Sequence, residues 1–407
     1  MAVKQTDIAI VGGGVAGLTL AVLLGQAGLD VTVVDPHKPA SMKKTPITGR
    51  TVALMDSSLN ILKNTGIWDD IEPLSNKMQM MRIIDDSDAG KEPIEIEFPA
   101  NDIGMEYFSY NIPAGPLRAA LFEQLKKLKN VTFIESTFAD YSIDDGGIIV
   151  RLENKKSIHA KLLVGADGRN SAVRNFADIE TDVKKYDQSA ITCVINHSRS
   201  HNDTSTEFHR PAGPMALVPM PGNQSSVVWV EKTEDAQELI KLKKQDFEQA
   251  MQERTNDILG GITLEIGPEC WPLCSIKAKT ITAPRVALIA EAAHVMSPIT
   301  AQGLNLSLRD VAALAESIVD QARLGVDIGS ATVLNAYEKR RRIDIETRVF
   351  GVDTMNSIVS TDALGLNRLR RAGLKSLDTL LPLKTLAMQI GLAPQIDESR
   401  LAKGEKL

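Results

Sequence analysis

Gly12, Gly14 and Gly17 stand at G-x-G-x-x-G spacing inside Ala9–Leu29, a stretch without a charged residue that Asp7 precedes and Asp30 closes. The chemistry this spacing serves is binding of a dinucleotide pyrophosphate. Gly12 permits a tight turn, Gly14 lets phosphate approach the backbone, and Gly17 lets helix and strand pack closely. The N–H groups at the helix start, at Val15 and Ala16, then face the phosphates. Asp35 closes the next apolar run, where a carboxylate accepts ribose hydroxyls and favours an unphosphorylated ribose, as in FAD or NAD. The motif does not choose between those two, and it occurs once in the chain. The competing account of the same residues is a glycine turn that serves only packing.

The elements that must position these residues follow from hydrophobic period and punctuation. Asp7–Val11 reads as a buried strand, Val15–Ala27 as a helix stopped by Gly28, and Leu29–Val34 as the second strand of a βαβ unit. A hydropathy window would flag Ala9–Leu29 as a membrane span, but its six glycines and acidic flanks fit strand, turn and helix better. Helices are expected at Asp56–Thr65, Gly115–Leu128, Ala236–Thr255, Gln302–Gln321 and Ala331–Val349. Strands are expected at Met81–Ile84, Pro93–Phe98, Val131–Glu135, Ala139–Glu153 with a hairpin turn at Asp144–Gly147, Ser157–Val164, Ser189–Asn196, Thr206–His209, Met215–Met220, Ser225–Glu231 and Arg285–Ile289. The strands of the middle block follow one another directly, so an antiparallel sheet with a helical cover is expected there. Leu401–Leu407 is expected to fray.

Composition narrows the function classes. The chain has 407 residues, 46 Lys+Arg against 52 Asp+Glu, and a formal net charge of −6, so no basic face dominates and nucleic-acid binding is excluded. Apolar content of 43% and charged content of 24% are those of a folded globular chain. The three cysteines, Cys193, Cys270 and Cys274, form no secretory framework and fit reduced thiols in a cytoplasmic protein. Cys270 and Cys274 lie in one half-buried strand region, and no metal site is assigned to them.

Two more constellations lie downstream. One is LVGADGRNSAVR, with Asp167 and Gly168; the other runs from Arg285 through Glu291 and His294 into AAHVMSPITAQGLNLSLRD, with Pro298, Gln302, Gly303, Leu304, Asn305 and Asp310. Together with the first glycine motif, their order and spacing resemble the class A flavoprotein aromatic monooxygenases, which share the p-hydroxybenzoate hydroxylase fold. GPMALVPMP, YEKRRRID and the late RRAGLKSLD, PLK and GLAP segments make the chain most similar to the ubiquinone-biosynthesis hydroxylases. The resemblance covers nearly the whole chain.

It implies an α/β fold: a Rossmann-like FAD-binding domain of the GR2 flavoprotein type, an inserted antiparallel-sheet substrate domain, and a helical C-terminal tail. The FAD domain would take residues 1–75, 106–180 and 276–350, the sheet domain 76–105 and 181–275, and the tail 351–407. The resemblance further implies that Glu291 holds the ribityl chain and that the helix from Gly303 faces the flavin pyrimidine edge. Pro298 would lie near its reactive edge, Asp167-Gly168 would touch FAD and the transient NAD(P)H, and Arg50 and Arg118 would touch phosphates or ring. Asp167 as a helix cap, and Arg50 and Arg118 as surface arginines, are the competing readings. His294 is read as structural. The chain departs from the family at Ala290-Glu291, where Gly-Asp is usual, and at Ala301 and Ser307, where glycine is usual. A positive φ at Ala301 would cost about 1 kcal/mol.

The implied reaction takes electrons from NAD(P)H to FAD, forms a C4a-hydroperoxyflavin with O2, and hydroxylates a polyprenyl phenol of ubiquinone biosynthesis. The alternatives are another small phenol as substrate, a flavin reductase that never activates O2, and a redox-sensing protein without turnover. His209, Met220 and Trp229 are the candidate substrate residues, Trp229 being equally readable as core. Around Leu366–Leu392 the leucines alternate with Arg368, Arg370, Arg371, Lys375 and Lys384. This tail reads either as a peripheral contact with the inner face of a membrane, collecting a lipid-like substrate, or as a helix pair packed on the FAD domain. Association with a biosynthetic complex is a further expectation.

Overall fold

The structure, a computed structural model, describes residues 3–87, 92–360, 371–374, 376, 381–392 and 399–407. The uncharged N-terminal stretch forms the strand Ile8–Val11, buried at all four positions, and the helix Val15–Gln26, buried nearly all round. A strand buried on both faces needs parallel neighbours and cover above and below it. Ile8–Val11 has both, the cover coming from the helix Val15–Gln26 and from the strand Ser157–Ala160 of a four-stranded sheet. It pairs in parallel with Val31–Asp35 on one side and Leu162–Gly165 on the other, in a sheet ordered Thr282–Ala283, Val286–Leu288, Leu162–Gly165, Ile8–Val11, Val31–Asp35, Val131–Glu135. The helices Ala114–Leu125 and Gln302–Arg323 pack on Val15–Gln26. N-terminal, central and late segments of the chain thus meet in one core around the first glycine motif.

The second large sheet has eight strands, in the order His294–Val295, Ile262–Ala278, Thr181–His197, Gln224–Lys232, Gly213–Met220, Thr204–Arg210, Met80–Asp85, Ile94–Pro99. All neighbours are antiparallel except Thr204–Arg210 and Met80–Asp85. The helices Thr233–Leu239 and Lys244–Arg254 cover one face, over Ile191, Cys193, Phe208, Met215, Val227 and Trp229. The expected single helix Ala236–Thr255 is therefore two, broken where Lys243 turns extended.

Three other expectations change. Ser157–Val164 is not one strand: Ser157–Ala160 joins a four-stranded sheet, and Leu162–Gly165 joins the parallel one. The switch falls at Lys161, whose N–H donates to Asp7 O at 3.0 Å. The half-buried strand region expected around Cys270 and Cys274 is part of a longer strand, Ile262–Ala278, that also holds Gly267, Pro268 and Pro272. Its outer side meets another strand only at Ile276 and Lys277, which leaves Pro268 and Pro272 on a free edge where no donor is needed. Cys270 and Cys274 lie in this strand, both half-buried.

Nor does the C-terminus fray. Leu401 and Ala402 are buried in the main core, Asn60 Nδ2 donates to Ala402 O at 3.0 Å, and Leu401 N–H donates to Glu316 Oε1 at 3.0 Å. Of the basic tail residues, Arg371 is buried and donates to Asp85 O at 3.1 Å and Glu92 O at 2.7 Å; Lys384 lies 3.5 Å from Asp102. Both turn inward, whereas Leu383 and Leu386 are exposed. Arg368, Arg370 and Lys375 lie outside the described residues. No described helix is long and apolar enough to cross a membrane.

Leu401 thus acts as a C-terminal anchor. Leu401→Ala should lower unfolding stability by about 2–4 kcal/mol, read from a urea midpoint shift at constant slope. A change below about 0.5 kcal/mol would mean that the terminus is not part of the core.

Candidate active site

The glycine turn is shaped by close backbone approach. Gly12 sits at φ +114°, and a Cβ there would lie 2.1 Å from Ala166 O; a Cβ on Gly17 would lie 2.1 Å from Gly12 O. These two glycines are required by packing against the Gly165–Asp167 turn and by the helix start. Gly14 differs, because a Cβ there would meet nothing within 4 Å. The space beside it is open, as ligand approach requires. The first i→i−4 bond is Leu18 N–H to Gly14 O at 3.0 Å, and no side chain caps the helix, so the N–H groups of Val15, Ala16 and Gly17 point toward that space.

Asp35 and Arg118 brace the turn. Asp35 Oδ2 accepts from Gly13 N–H at 2.6 Å and Oδ1 from His37 N–H at 2.8 Å. Arg118 Nε donates to Gly13 O at 2.6 Å and its Nη2 to His37 O at 2.7 Å, with Asp35 Oδ1 at 3.3 Å. Arg118 is therefore part of the cradle and not a free surface arginine. Asp167 acts as a cap: Oδ2 accepts from Ala172 N–H at 2.7 Å and Val173 N–H at 3.1 Å, and Oδ1 from Ser171 Oγ at 2.5 Å. The Ala166–Asp167 backbone, followed by Gly168 at φ +82°, is what faces the glycine turn.

The late motif forms the other wall. Glu291 is half-exposed, with Arg169 4.0 Å away in a solvated pair. Pro298 is exposed, and Gly303 and Leu304 are half-buried at the start of Gln302–Arg323. Asn305 is buried: Nδ2 donates to Ala53 O and Ala301 O, both at 2.8 Å, and Oδ1 accepts from Met55 N–H at 3.0 Å. It ties the helix start to the strand Thr51–Met55. Ala290 and Ala301 stand at φ +56° and +53°, in the left-handed region that favours glycine.

His294 is structural. Its Nε2 lies 2.6 Å from Asp310 Oδ2, which also accepts from Ala290 N–H at 3.0 Å, while Asp310 Oδ1 accepts from Arg341 Nε at 2.8 Å. Arg341 Nη1 and Arg309 Nε both donate to Asp344 Oδ2, at 2.7 and 2.8 Å. Burial pushes the Asp310 carboxyl upward, but the charges of His294 and Arg341 outweigh it and hold its pKa below the usual range. Burial also pulls Arg309 down to about 10.

The face of the eight-stranded sheet opposite those helices meets the strand Thr51–Met55, and at its Ile83 and Asp85 end it meets Arg371 and the cluster that holds Leu374 and Met388. Thr51 Oγ1 lies 2.7 Å from Ser226 Oγ, and Asn111 Nδ2 donates to Pro219 O at 3.0 Å. Along this face runs a half-buried row, Ile83, Glu207, Ala216, Val228 and Thr192, with buried residues such as Asp85, His209, Ser205 and Ser226 beside it. Strand alternation places His209 and Met220 on this face. Trp229 is on the other, in the helix-covered core, its ring 6.1 Å from that of Phe247. A polar cavity of about 340 Å³ lined by Arg82, Arg199, His201 and Thr206 is also on the helix-covered side, away from the cradle. Arg50 lies over the ring of Trp271, 5.1 Å from its centroid. Trp271 was not singled out, although it lies between Cys270 and Cys274 in the expected strand region.

Residues 5–349 match the family model described as FAD binding domain. The chain belongs to that family. Its cofactor is accordingly FAD, which resolves the choice the glycine motif left open. The chain is 34% identical to the ubiquinone hydroxylase UbiL of Rhodospirillum rubrum, over 95% of this chain and 89% of that one. It is 28% identical to the 3-demethoxyubiquinol 3-hydroxylase of Escherichia coli, over 96% and 99%. Among solved structures, PqsL of Pseudomonas aeruginosa in complex with 2-aminobenzoylacetate superposes with a TM-score of 0.78 at 20% identity, over 92% of this chain and 100% of that one. The p-nitrophenol 4-monooxygenase PnpA of Pseudomonas putida does so with 0.78 at 19%, over 97% and 100%. At these identities the structures speak for the fold.

Two outcomes follow. Gly12→Ala should fold but bind FAD at least about 100-fold more weakly, because its Cβ must displace the Ala166 carbonyl; retained flavin absorbance after desalting would refute this. Asp310→Asn should lower stability by about 3–5 kcal/mol by leaving Arg341 and His294 against a neutral group. A carboxyl whose native pKa is depressed stabilises the fold fully above its unfolded value, near 4, and loses that contribution as pH falls through the native value. Urea midpoints measured from pH 7 down to 3 should therefore fall more steeply for the unaltered chain than for Asp310→Asn.

Proposed function

We propose that this chain hydroxylates an aromatic ring, most specifically a polyprenyl phenol on the way to ubiquinone, using FAD, NAD(P)H and O2. What supports the reading is a half-buried sheet face joined through Ser226, the strand Thr51–Met55 and Asn305 to the start of the helix Gln302–Arg323, together with a glycine turn whose helix N–H groups are uncapped. The names of the relatives, hydroxylases of ubiquinone and demethoxyubiquinol, supply the substrate class.

In this reading the FAD-binding part takes the segments around the parallel sheet, and the eight-stranded sheet forms the substrate part. Gly12, Gly14, Val15, Ala16 and Gly17 bind the pyrophosphate, and Asp35 the ribose, with Arg118 holding both in register. Glu291 accepts from the ribityl hydroxyls. The Gln302–Gly303 helix start sets N–H groups against the ring, with Pro298, Leu304 and the Asn305 clamp fixing their position. Asp167 acts through the cap that orients Gly168. Arg50 holds its place against Trp271. Bound FAD supplies the redox chemistry, taking two electrons from NAD(P)H and delivering one atom of O2 to the ring. Ile83, Ala216 and Val228 exclude water from the reacting ring. Trp229 has no part in this arrangement.

The test is incorporation of labelled dioxygen. Holoenzyme given NADH or NADPH, a 2-polyprenylphenol and 18O2 should form a hydroxylated product carrying one labelled atom. NAD(P)H oxidation with no label in the product would identify a flavin reductase instead.

A further inference from the structure

The cavity on the helix-covered side of the eight-stranded sheet has no part in the arrangement above. Strand alternation turns Arg82, Thr206 and Ser225 to the same face as Ile84, Phe208 and Val227, past the end of the apolar cluster that the two helices cover. The space is about 340 Å³, large enough for a small organic molecule and far larger than one water needs. Leu217, Ile258 and Leu259 give it an apolar wall, and the exposed residues Arg199, Ser200 and Asn202 mark its open side. Among the described residues no carboxylate lines it.

Its polar groups are held in place with bonding capacity left over. Arg82 Nε and Nη2 donate to Glu97 Oε1, at 3.1 and 2.6 Å, on the outer edge strand, with Glu95 3.0 Å from Nε; Nη1 is left. Arg199 Nη1 donates to Asp257 O at 3.0 Å, and no carboxylate among the described residues pairs with this guanidinium. Thr206 is 4% exposed, and its hydroxyl meets no hydrogen-bond partner among the described residues. A hydroxyl so buried is costly to leave unmatched, so it is available to a group that enters the cavity. Two buried histidines fix how Ser225 works. His197 Nδ1 lies 2.7 Å from Arg199 O, a carbonyl that only accepts, so the ring proton sits on Nδ1. Burial lowers the His197 pKa, which keeps the ring neutral. Its Nε2 then accepts from Ser225 Oγ, 3.1 Å away, and Ser225 presents lone pairs to the cavity. His201 is fully engaged: Nε2 donates to Met220 O at 2.9 Å, and Nδ1 accepts from Asp203 N–H at 3.1 Å.

We propose that this cavity is a second ligand site, separate from the cofactor cleft, and that it takes a small organic acid with a hydroxyl group on a short apolar body. The carboxylate meets Arg199 at the open side, with Arg82 Nη1 as a second donor. The body lies on Leu217, Ile258 and Leu259. The hydroxyl donates to Ser225 and accepts from Thr206. Donors, acceptor and apolar wall then each meet a matching part of one molecule. The strand that carries Ser225 also carries Ser226, whose Oγ lies 2.7 Å from Thr51 Oγ1 on the opposite face. An occupant therefore stands one residue from the contact that joins the sheet to the cofactor wall. The site is independent of the aromatic-hydroxylase reading and involves no reaction.

The test is calorimetric titration of holoenzyme at low salt with three matched probes: 6-hydroxyhexanoate, hexanoate and hexane-1,6-diol. The hydroxy acid should bind with a Kd below about 1 mM. The diol, which carries no charge, should bind at least about tenfold more weakly, and hexanoate, which lacks the hydroxyl, about fivefold more weakly. Thr206→Val keeps the shape of the side chain and should weaken the hydroxy acid about fivefold. Arg199→Gln, a change at an exposed position, should weaken it about tenfold. Ser225→Ala should remove the difference between the hydroxy acid and hexanoate; should that variant lose the fold, Thr206→Val and Arg199→Gln still decide the matter. Flavin absorbance should stay constant as the site fills, because the cavity and the cofactor wall lie on opposite faces of the sheet. Three results would each overturn the assignment: no binding of the hydroxy acid up to about 10 mM, unchanged affinity in both Thr206→Val and Arg199→Gln, or a flavin shift that tracks occupancy and so places the probe in the cofactor cleft.

Discussion

The carboxylate of Asp310 holds the cofactor-facing loops together. It is fully buried, so its charge must be matched by donors within the protein. Its donors come from three segments: the Ala290 backbone, His294, and Arg341 on the helix Ala331–Val359. Arg341 passes the charge on to Asp344, which Arg309 shares. Arg348 Nε lies 3.8 Å from Asp344 as well, so both carboxylates are met from more than one side. Such a network adds little net stability against an apolar replacement, but it permits one arrangement only, since any single loss strands a buried charge. Glu291 inherits its place from this arrangement, being the residue after Ala290.

The helix Gln302–Arg323, which carries Asp310, also answers the backbone strain nearby. Ala290 and Ala301 adopt left-handed conformations that cost an alanine about 1 kcal/mol each. Each is held by a side chain from Gln302–Arg323: Asp310 accepts from Ala290 N–H, and Asn305 donates to Ala301 O. A hydrogen bond to a charged group contributes about 1.5–3 kcal/mol, enough to offset the strain at Ala290. Ser307, another departure from the usual glycine, returns its Oγ to Gly303 O at 2.8 Å within the same helix. The loop geometry therefore survives loss of glycine because the helix beside it supplies directional bonds.

Much of this was legible in the residues themselves. Asp56–Thr65 and Val131–Glu135 fall where they were read, because Gly66 at φ +80° ends the first and both have clear periods. Of the strand Ile262–Ala278 only the region of Cys270 and Cys274 was legible; its full length was not, because its prolines are tolerated only on an edge, and edges are decided by which strands pair, not by the run itself. The helical cap of Asp167 was weighed but not separable from a cofactor contact, and Arg118 was read as a cofactor contact or a surface arginine, its brace role going unseen, since both depend on which atoms the fold brings within 3 Å. The C-terminal anchor was misread because a short polar-flanked segment gives no period; its burial comes from the helix Asp56–Thr65, far away in the chain.

Trp229 and Met220 show where sequence pattern reaches its limit. Both sit in strands of one sheet, and alternation says that neighbouring residues face opposite ways. It does not say which face a distant segment will cover. The helices Thr233–Leu239 and Lys244–Arg254 take the side of Trp229, and the strand Thr51–Met55 meets the other side at Ser226. That strand is fastened by Asn305 to the helix start beside the cradle. One narrow strand thus joins the substrate face to the cofactor wall, and the half-buried row beside it is the face that a ring lying near both can touch. That row is mixed: Ile83, Ala216 and Val228 are apolar, whereas Glu207 and Thr192 are polar, and Thr192 Oγ1 is buried without a hydrogen-bond partner. A largely apolar molecule that carries a polar substituent suits such a face better than a wholly apolar one, which would leave that hydroxyl unpaired.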